Sequence, residues 1–401
     1  MNCAFCKGRG WCGQSCKILA QIKQFSPKVE TNFSGASPPD IFVGRFNYPT
    51  INTGILAPTN HDESKALTLS SPEEWFKKRL SIEEILAKRG SLIYSTFKTN
   101  IKSKQNKLLH TMQELAMAQK PCSTAFILKK KPLVKIDLNS KSPPIGNPAP
   151  LKKAVLEENP KVPKKINYLV EDADLKAKNS IINLHKHDYS ITSIIKLLSA
   201  GLLGLKKQRK LTPSRWATTA VDSILSENLI RKLKTFPWIN DFQVFTGEYI
   251  GNHYEILLIP RQWSFEVIEA KLSGSCWNQK SQEAFLMHNY ESFYPRKNYA
   301  SQVAGAYYVN RLAITEYLTK IRRQASVLFL REAREEYWAP LGVGILREVS
   351  RAAFTKKPSK FKNMNDAIKN IKTRLKLPIE QFLVRSQLLK ELSEQKTLFN
   401  F

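Results

Sequence analysis

Four cysteines lie within fourteen residues near the start of the chain: Cys3, Cys6, Cys12 and Cys16. Their spacing is C-x2-C, five residues, then C-x3-C, with Gly8, Gly10 and Gly13 interleaved. Thiolates held this close repel one another, and so short a stretch has no apolar core, so a cation is the natural organiser. Zinc takes four sulfurs tetrahedrally, and glycine supplies the positive φ angles that knuckle turns need. An iron–sulfur cluster uses the same donors and stands as the alternative cofactor. With four protein ligands no position stays open for a catalytic water, so the finger reads as a structural scaffold. Cys122 and Cys276 stand apart and read as ordinary buried thiols.

A second constellation has the residue types of an acid–base or divalent-metal site. His253 and Glu255 share one face of the predicted strand Asn252–Ile259. If Pro260-Arg261-Gln262 closes a hairpin, Glu269 on the returning strand falls opposite His253. One residue of register change dissolves that cluster, and polar groups on half-buried strands commonly serve hydrogen-bond networks instead. His288-Asn-Tyr290-Glu291 repeats the same residue types in a predicted loop. No P-loop, dinucleotide fingerprint, nucleophile elbow or metalloprotease helix motif is present.

The elements that would position a polyanion are clearer. The chain has 401 residues, with 63 basic against 34 acidic side chains and a net charge of +29, which points to nucleic acid. The densest basic stretch contains Lys206, Lys207, Arg209, Lys210 and Arg215, followed by Trp216. Thr212 as cap and Pro213 as first helical residue would start a helix over Trp216–Lys234, so these cations gather before a helix N-terminus that favours phosphate. Trp216 offers a flat face to an unstacked base. A second basic zone holds Arg322, Arg323, Arg331, Arg334, Arg347 and Arg351, then Lys356, Lys357, Lys360 and Lys362, with Glu332, Glu335 and Glu336 close by as pairing partners.

Hydrophobic residues make up 42% of the chain, enough for a sizeable core, and its length fits two or three domains. No run of 18 apolar residues offers a membrane span, and no apolar signal region precedes the cysteines, so a cytoplasmic, nucleoid-associated protein is expected. Ser71-Pro-Glu-Glu opens a helix in the capping manner, and further helices are predicted over 104–119, 189–203 and 303–323. Strand–turn–strand patterning covers Ile41–Gly54, and short strands are expected at Thr124–Leu128, Leu133–Leu138, within Phe242–Phe265 and at Ala325–Leu330. The expected fold class is α+β: mixed helices and short antiparallel strands, with a small N-terminal four-cysteine zinc finger. The expected division is a finger at 1–18, an N-terminal α+β region at 19–138 and a proline- and lysine-rich, surface-exposed connection at 139–165. A C-terminal α+β region at 166–376 and a helix with terminal peptide at 377–401 complete it.

The chain ends Gln395-Lys-Thr-Leu398-Phe399-Asn-Phe401, just after a predicted helix over Gln381–Leu392. A glutamine followed at three by an aliphatic and at six by an aromatic resembles the clamp-binding peptide of proteins that ride on a PCNA-type sliding clamp. In such a peptide one helical turn throws Leu398, Phe399 and Phe401 toward an apolar pocket while Gln395 makes polar contacts beside it. The usual pattern has two consecutive aromatics, whereas this sequence stops at the first of them, Phe401. The cysteine cluster, Ser37–Gly54 (SPPDIFVGRFNYPTINTG), Arg209–Asp222 (RKLTPSRWATTAVD), the stretch Gly305–Arg351 and the terminal peptide together resemble the archaeal Nre family of DNA repair proteins. The resemblance runs over nearly the whole chain. It implies a role in DNA damage repair, a C-terminal clamp-interaction motif and an N-terminal metal-binding finger, with DNA, the clamp and other repair proteins as partners. It implies no catalytic mechanism. Beside it stand two other readings, an enzyme acting on damaged DNA through the 253–291 residues and an RNA- or ribosome-associated zinc protein.

Overall fold

The structure is a computed structural model, and it describes residues 13, 15–133 and 144–394. The described residues divide into two compact units, one running up to Leu225 and the other starting at Ser226. Each unit is built on one six-stranded mixed sheet, so the α+β reading holds.

In the first unit the strands are β1 (Asn32–Ser37), β2 (Ile41–Val43), β3 (Thr50–Ala57), β4 (Ile93–Asn100), β5 (Cys122–Leu128) and β6 (Asn147–Leu156). Their order is β1-β5-β6-β4-β3-β2, antiparallel except for the parallel pair β4–β6. Helix α1 (Lys17–Phe25) packs on the later helix Ile82–Gly90 through the buried Ile18 and Ile22. Ser71 caps Pro72–Lys77 by accepting from the Glu74 N–H at 3.3 Å, and Ser81 with Glu84 forms a capping box on Ile82–Gly90, as this kind of sequence dictates. Arg89 is buried and braces the sheet's end: it pairs with Asp40 at 3.2 Å and donates to the Pro144 and Ile145 carbonyls at 2.7 and 2.8 Å.

The stretch expected to be a surface connection contains β6, which lies between β5 and β4 within the sheet. Pro148 and Pro150 sit at alternate positions, so their missing N–H groups all fall on one side of the strand. On that side their carbonyls accept from Leu133 and Lys129 at 3.1 and 2.7 Å, and the ladder to β5 begins only at Leu151. Proline content signalled the missing donors but not the acceptors that remained. The strand predicted at 133–138 falls largely outside the described residues, and Leu133 itself is not in a strand.

The second sheet comprises β7 (Phe242–Tyr249), β8 (Asn252–Ile259), β9 (Ser264–Lys271), β10 (Phe285–Glu291), β11 (Ser326–Ala333) and β12 (Ser359–Phe361). Its order is β10-β9-β11-β8-β7-β12, with β9 and β11 parallel. One face packs its aromatic residues against Gly305–Lys320 and the end of Val343–Ala353, with Phe265 on Tyr307 and Phe245 on both Tyr317 and Phe354 at ring separations of 5.1 Å. The other face buries Leu257, Ile268, Leu328 and Leu330 beneath Ala367, Ile371, Phe382 and Leu388 of the C-terminal helices. Those helices are Met364–Lys372, Glu380–Leu383 and Gln387–Glu394, so the single helix expected over 381–392 is broken around Arg385. Among the described residues no helix is long and apolar enough to cross a membrane.

Candidate functional site

β7 and β8 join through a two-residue turn, Ile250–Gly251, in which both residues have positive φ (43° and 75°), the geometry that matches strand twist. This register sets Glu248 opposite His253 and Thr246 opposite Glu255, and on the other side β11 sets Glu332 opposite His253. The predicted pair therefore meets. His253 places Nδ1 2.8 Å from Glu248 and Nε2 3.0 Å from Glu255, and both His253 and Glu255 are buried.

Glu269 does not join them. Strand β11 inserts between β8 and β9, so Pro260–Gln262 closes no hairpin between paired strands. The parallel register sets Glu269 beside Arg331, which lies opposite Tyr254. Glu269 thus lies on the opposite face of the sheet from His253 and Glu255, where it forms a buried ion pair with Arg331.

The other contacts of Glu255 explain what the pair does. Its two oxygens accept from Arg374 Nε and Nη2 at 2.8 and 2.7 Å, and Oε2 also accepts from the Thr246 hydroxyl at 3.1 Å. The hydrogen bond to Glu255 raises the pKa of Arg374, which stays charged. Two further buried carboxylates on the same face are engaged alike. Glu332 accepts from the backbone N–H groups of Lys376 and Leu377 at 3.1 and 2.8 Å, and from Arg334 Nε at 2.9 Å. Glu266 accepts from the Ser386 hydroxyl at 2.6 Å and from the N–H groups of Gln387 and Leu388 at 2.9 and 3.0 Å. His288, in strand β10 rather than the expected loop, completes that group with Nδ1 at 3.1 Å. Glu255, Glu266 and Glu332 together bolt residues 374–388 to the sheet. With their oxygens so engaged, this is a brace, and its chemistry is anchoring. Among the described residues no group of three or more His, Cys, Asp or Glu side chains is placed to hold a metal ion.

The basic stretch of the first unit divides in two. Arg209, expected to meet phosphate, spends its guanidinium on the fold: Nε, Nη1 and Nη2 donate to the carbonyls of Gly204, Val170 and Asp172 at 2.8, 2.6 and 2.7 Å. Lys206 and Lys207, in a 3-10 turn, and Lys210 are exposed and form no ion pair among the described residues. The following helix spans Ser214–Leu233, beginning one residue after Pro213, the expected first helical residue: the Pro213 carbonyl accepts from Trp216 and Ala217 at 2.8 and 3.0 Å, and Thr212 donates its N–H to the Ser199 carbonyl. Arg215 is half-buried, and Trp216 is 45% exposed.

Sequence reasoning missed the neighbours of Trp216. The β2–β3 turn brings Tyr48 against it at a ring separation of 5.3 Å with the planes tilted by 50°. Phe46, 64% exposed, stands in the same turn with the Arg45 guanidinium 5.3 Å from its ring centroid. The available signal was two aromatics and an arginine at turn positions of Ile41–Gly54, where solvated polar residues are usual.

The second basic zone is largely paired. Arg334 meets Glu332 at 2.8 Å and Arg351 meets Glu316 at 2.7 Å, while Arg331 and Arg347 are buried. Arg322 remains exposed, as do Lys356, Lys357, Lys360 and Lys362, while Arg323 is half-buried; Lys362 pairs with Asp241 at 3.1 Å. Of the cysteine cluster, Cys3, Cys6 and Cys12 lie outside the described residues, as do Gln395, Leu398, Phe399 and Phe401. Cys16 is described. It caps α1, its sulfur accepting from the Leu19 N–H at 3.4 Å.

These features define a two-unit α+β protein whose buried acids serve as structural braces and whose first unit sets the exposed Tyr48 and Trp216 rings side by side. The archaeal Nre N-terminal family model matches residues 11–278, and the archaeal Nre C-terminal model matches residues 291–401. The chain belongs to the Nre family. It is 33% identical over 395 residues to DNA repair protein NreA of Haloferax volcanii, covering 96% of this chain and 93% of that one. It is 32% identical over 402 residues to DNA repair protein NreB of Archaeoglobus fulgidus, with both chains covered completely. DNA repair protein NreA of Archaeoglobus fulgidus is 36% identical over 372 residues, 92% of each chain. No solved structure matches the chain.

Proposed function

We propose that this protein is a DNA repair factor that contacts DNA through the basic residues of its first unit and is tethered to a PCNA-type sliding clamp by Gln395–Phe401. The observation that carries the repair role is the match over the length of the chain to relatives named as DNA repair proteins. A charge of +29 and the exposed Lys206, Lys207 and Lys210 support phosphate contact. Tethering raises the local concentration at the clamp-loaded duplex, so a modest DNA affinity suffices. The brace explains why the segment before the tail is held firmly: Glu266 caps Gln387–Glu394, and Gln395 follows directly.

The proposed role for Cys3, Cys6, Cys12 and Cys16 is a structural zinc site, with an iron–sulfur cluster as the alternative. Cys16 fits a metal-held thiolate, since a backbone N–H at a helix start is directed at its sulfur. Such a metal would supply folding energy to the finger and no bond-breaking chemistry. The enzyme reading loses its predicted cluster, because Glu269 is on the other sheet face and Glu255 is engaged by Arg374.

The test is titration of purified clamp with the full chain and with a chain lacking Gln395–Phe401, followed by metal analysis of the same preparations. Clamp binding that vanishes with the tail, and one zinc per chain lost in Cys16→Ser, are the expected results. Equal clamp binding with and without the tail refutes the tether.

A further inference from the structure

From the geometry we infer that Arg45, Phe46, Tyr48 and Trp216 form a stacking platform for unpaired bases of single-stranded DNA. The inference deepens, and rests on, the DNA contact proposed above. Three large aromatic side chains are exposed, Phe46 by 64%, Tyr48 by 41% and Trp216 by 45%; Tyr48 and Trp216 come together from two separate segments, and Phe46 stands in the same turn as Tyr48. Exposed aromatics scattered singly need no explanation, but a cluster on a charged surface marks a binding site. The Tyr48 and Trp216 planes are tilted by 50°, so the two rings do not bury each other's faces. Each keeps a π-face for a third ring.

The platform is fixed from below. The Val43 N–H donates to Ser214 Oγ at 3.0 Å, joining the start of the hairpin to the start of the tryptophan's helix. Ile101 donates to the Pro49 carbonyl at 3.0 Å, and Leu211 donates to Ile101 at 2.9 Å. Three segments are thereby held at one corner, which limits the ordering cost of binding. Arg45 adds a donor in waiting: its Nε is buried and has no hydrogen-bond partner among the described residues.

Charge selects the occupant. The joined segments 41–54, 97–107 and 201–217 contain ten Lys and Arg residues and no Asp or Glu. An apolar protein partner would meet a rim of unbalanced positive charge, whereas a nucleic-acid strand supplies both the compensating phosphates and flat faces to stack. A duplex offers phosphates but keeps its base faces stacked internally, so the aromatics favour the unpaired strand.

The experiment measures binding of the full chain by fluorescence anisotropy to a labelled thymidine strand, an abasic strand of equal phosphate number and a duplex. Wild type should prefer the thymidine strand over the abasic strand by at least about tenfold, the contribution of one stacked base. The Phe46→Ala/Tyr48→Ala/Trp216→Ala variant should lose that preference while keeping its duplex affinity and salt slope. Lys206→Ala/Lys207→Ala/Lys210→Ala should weaken all three probes together and flatten the salt dependence. Phe46→Ala alone, at the most exposed position, serves as a folded control that should lose part of the preference. Duplex binding by wild type with no base preference, or an unchanged preference in the aromatic variant, overturns the platform alone. Failure of wild type to bind any of the three probes overturns the platform together with the DNA contact on which it rests.

Discussion

Replacing Glu266 by glutamine should loosen the last helix without unfolding the sheet beneath it. The carboxylate is fully buried and accepts from Ser386 Oγ, the Gln387 and Leu388 N–H groups and His288 Nδ1, all within 3.1 Å. Glutamine keeps the shape but presents one amide NH2 where two of these donors need an acceptor. Hydrogen bonds to a charged group contribute about 1.5–3 kcal/mol each, and an anion at a helix N-terminus adds about 0.3–1 kcal/mol. With water replacing part of what is lost, local opening of Gln387–Glu394 should become about 3 kcal/mol easier. At 1.4 kcal/mol per factor of ten, amide exchange in that helix should accelerate on the order of 100-fold. Hydrogen exchange read by mass spectrometry over 387–394 measures this, with the β8 peptide 252–259 as an internal standard that should stay protected. Acceleration below about threefold would show that apolar contacts of Leu388 and Phe382 hold the segment by themselves, and the brace argument would fail.

Arg209→Ala should destabilise the first unit by about 2–4 kcal/mol, since three carbonyls lose a charged donor, while the DNA affinity of the folded variant changes less than about twofold. A thermal melt paired with a binding isotherm checks both halves, and a large affinity loss at unchanged stability would return Arg209 to the phosphate contact. Burial first, then the nearby Glu158, pushes the Cys122 thiol up to about 11 from an ordinary value of 9.0. Its thiolate fraction at pH 8 is then about one in a thousand, so alkylation of the native protein should run about 100-fold slower than that of a free thiol. Because the folded pKa is raised, this group's contribution to stability is present below pH 9 and is lost as pH rises to about 11. Denaturant titrations of wild type and Cys122→Ala across that window should converge toward high pH, and parallel curves would contradict the assignment.

Much of the architecture was legible where local chemistry decides it. Ser71 and Pro72 mark a helix start because hydroxyl cap and fixed φ act within one turn, and the two strands of Ile41–Gly54 follow from period-two burial around a turn. What failed was non-local. Nothing near Pro260–Gln262 reveals that β11, more than sixty residues later in the chain, enters between β8 and β9 and carries Glu269 to the other face. Nothing in the residues around Pro148 and Pro150 reveals that their carbonyls meet Lys129 and Leu133. Arg209 departs from the expected phosphate contact for a related reason: its partners are main-chain carbonyls at Val170, Asp172 and Gly204, which carry no residue signature.

The same reasoning explains why the acids of the second sheet resemble a catalytic cluster in sequence. An acidic residue in an otherwise apolar strand must find compensation, and a reader of side chains looks for it among histidines and basic residues. Here much of the compensation is backbone: Glu332 takes the N–H groups of Lys376 and Leu377, and Glu266 takes those of Gln387 and Leu388. These donors exist whatever side chains the segment carries, so no pattern in 374–388 announces them. Two leucines in contact can slide by a rotamer, whereas a carboxylate on two consecutive amides accepts one register of the segment and excludes its neighbours. Apolar burial by Phe382 and Leu388 supplies attraction, and the three buried glutamates decide where along the sheet the segment sits.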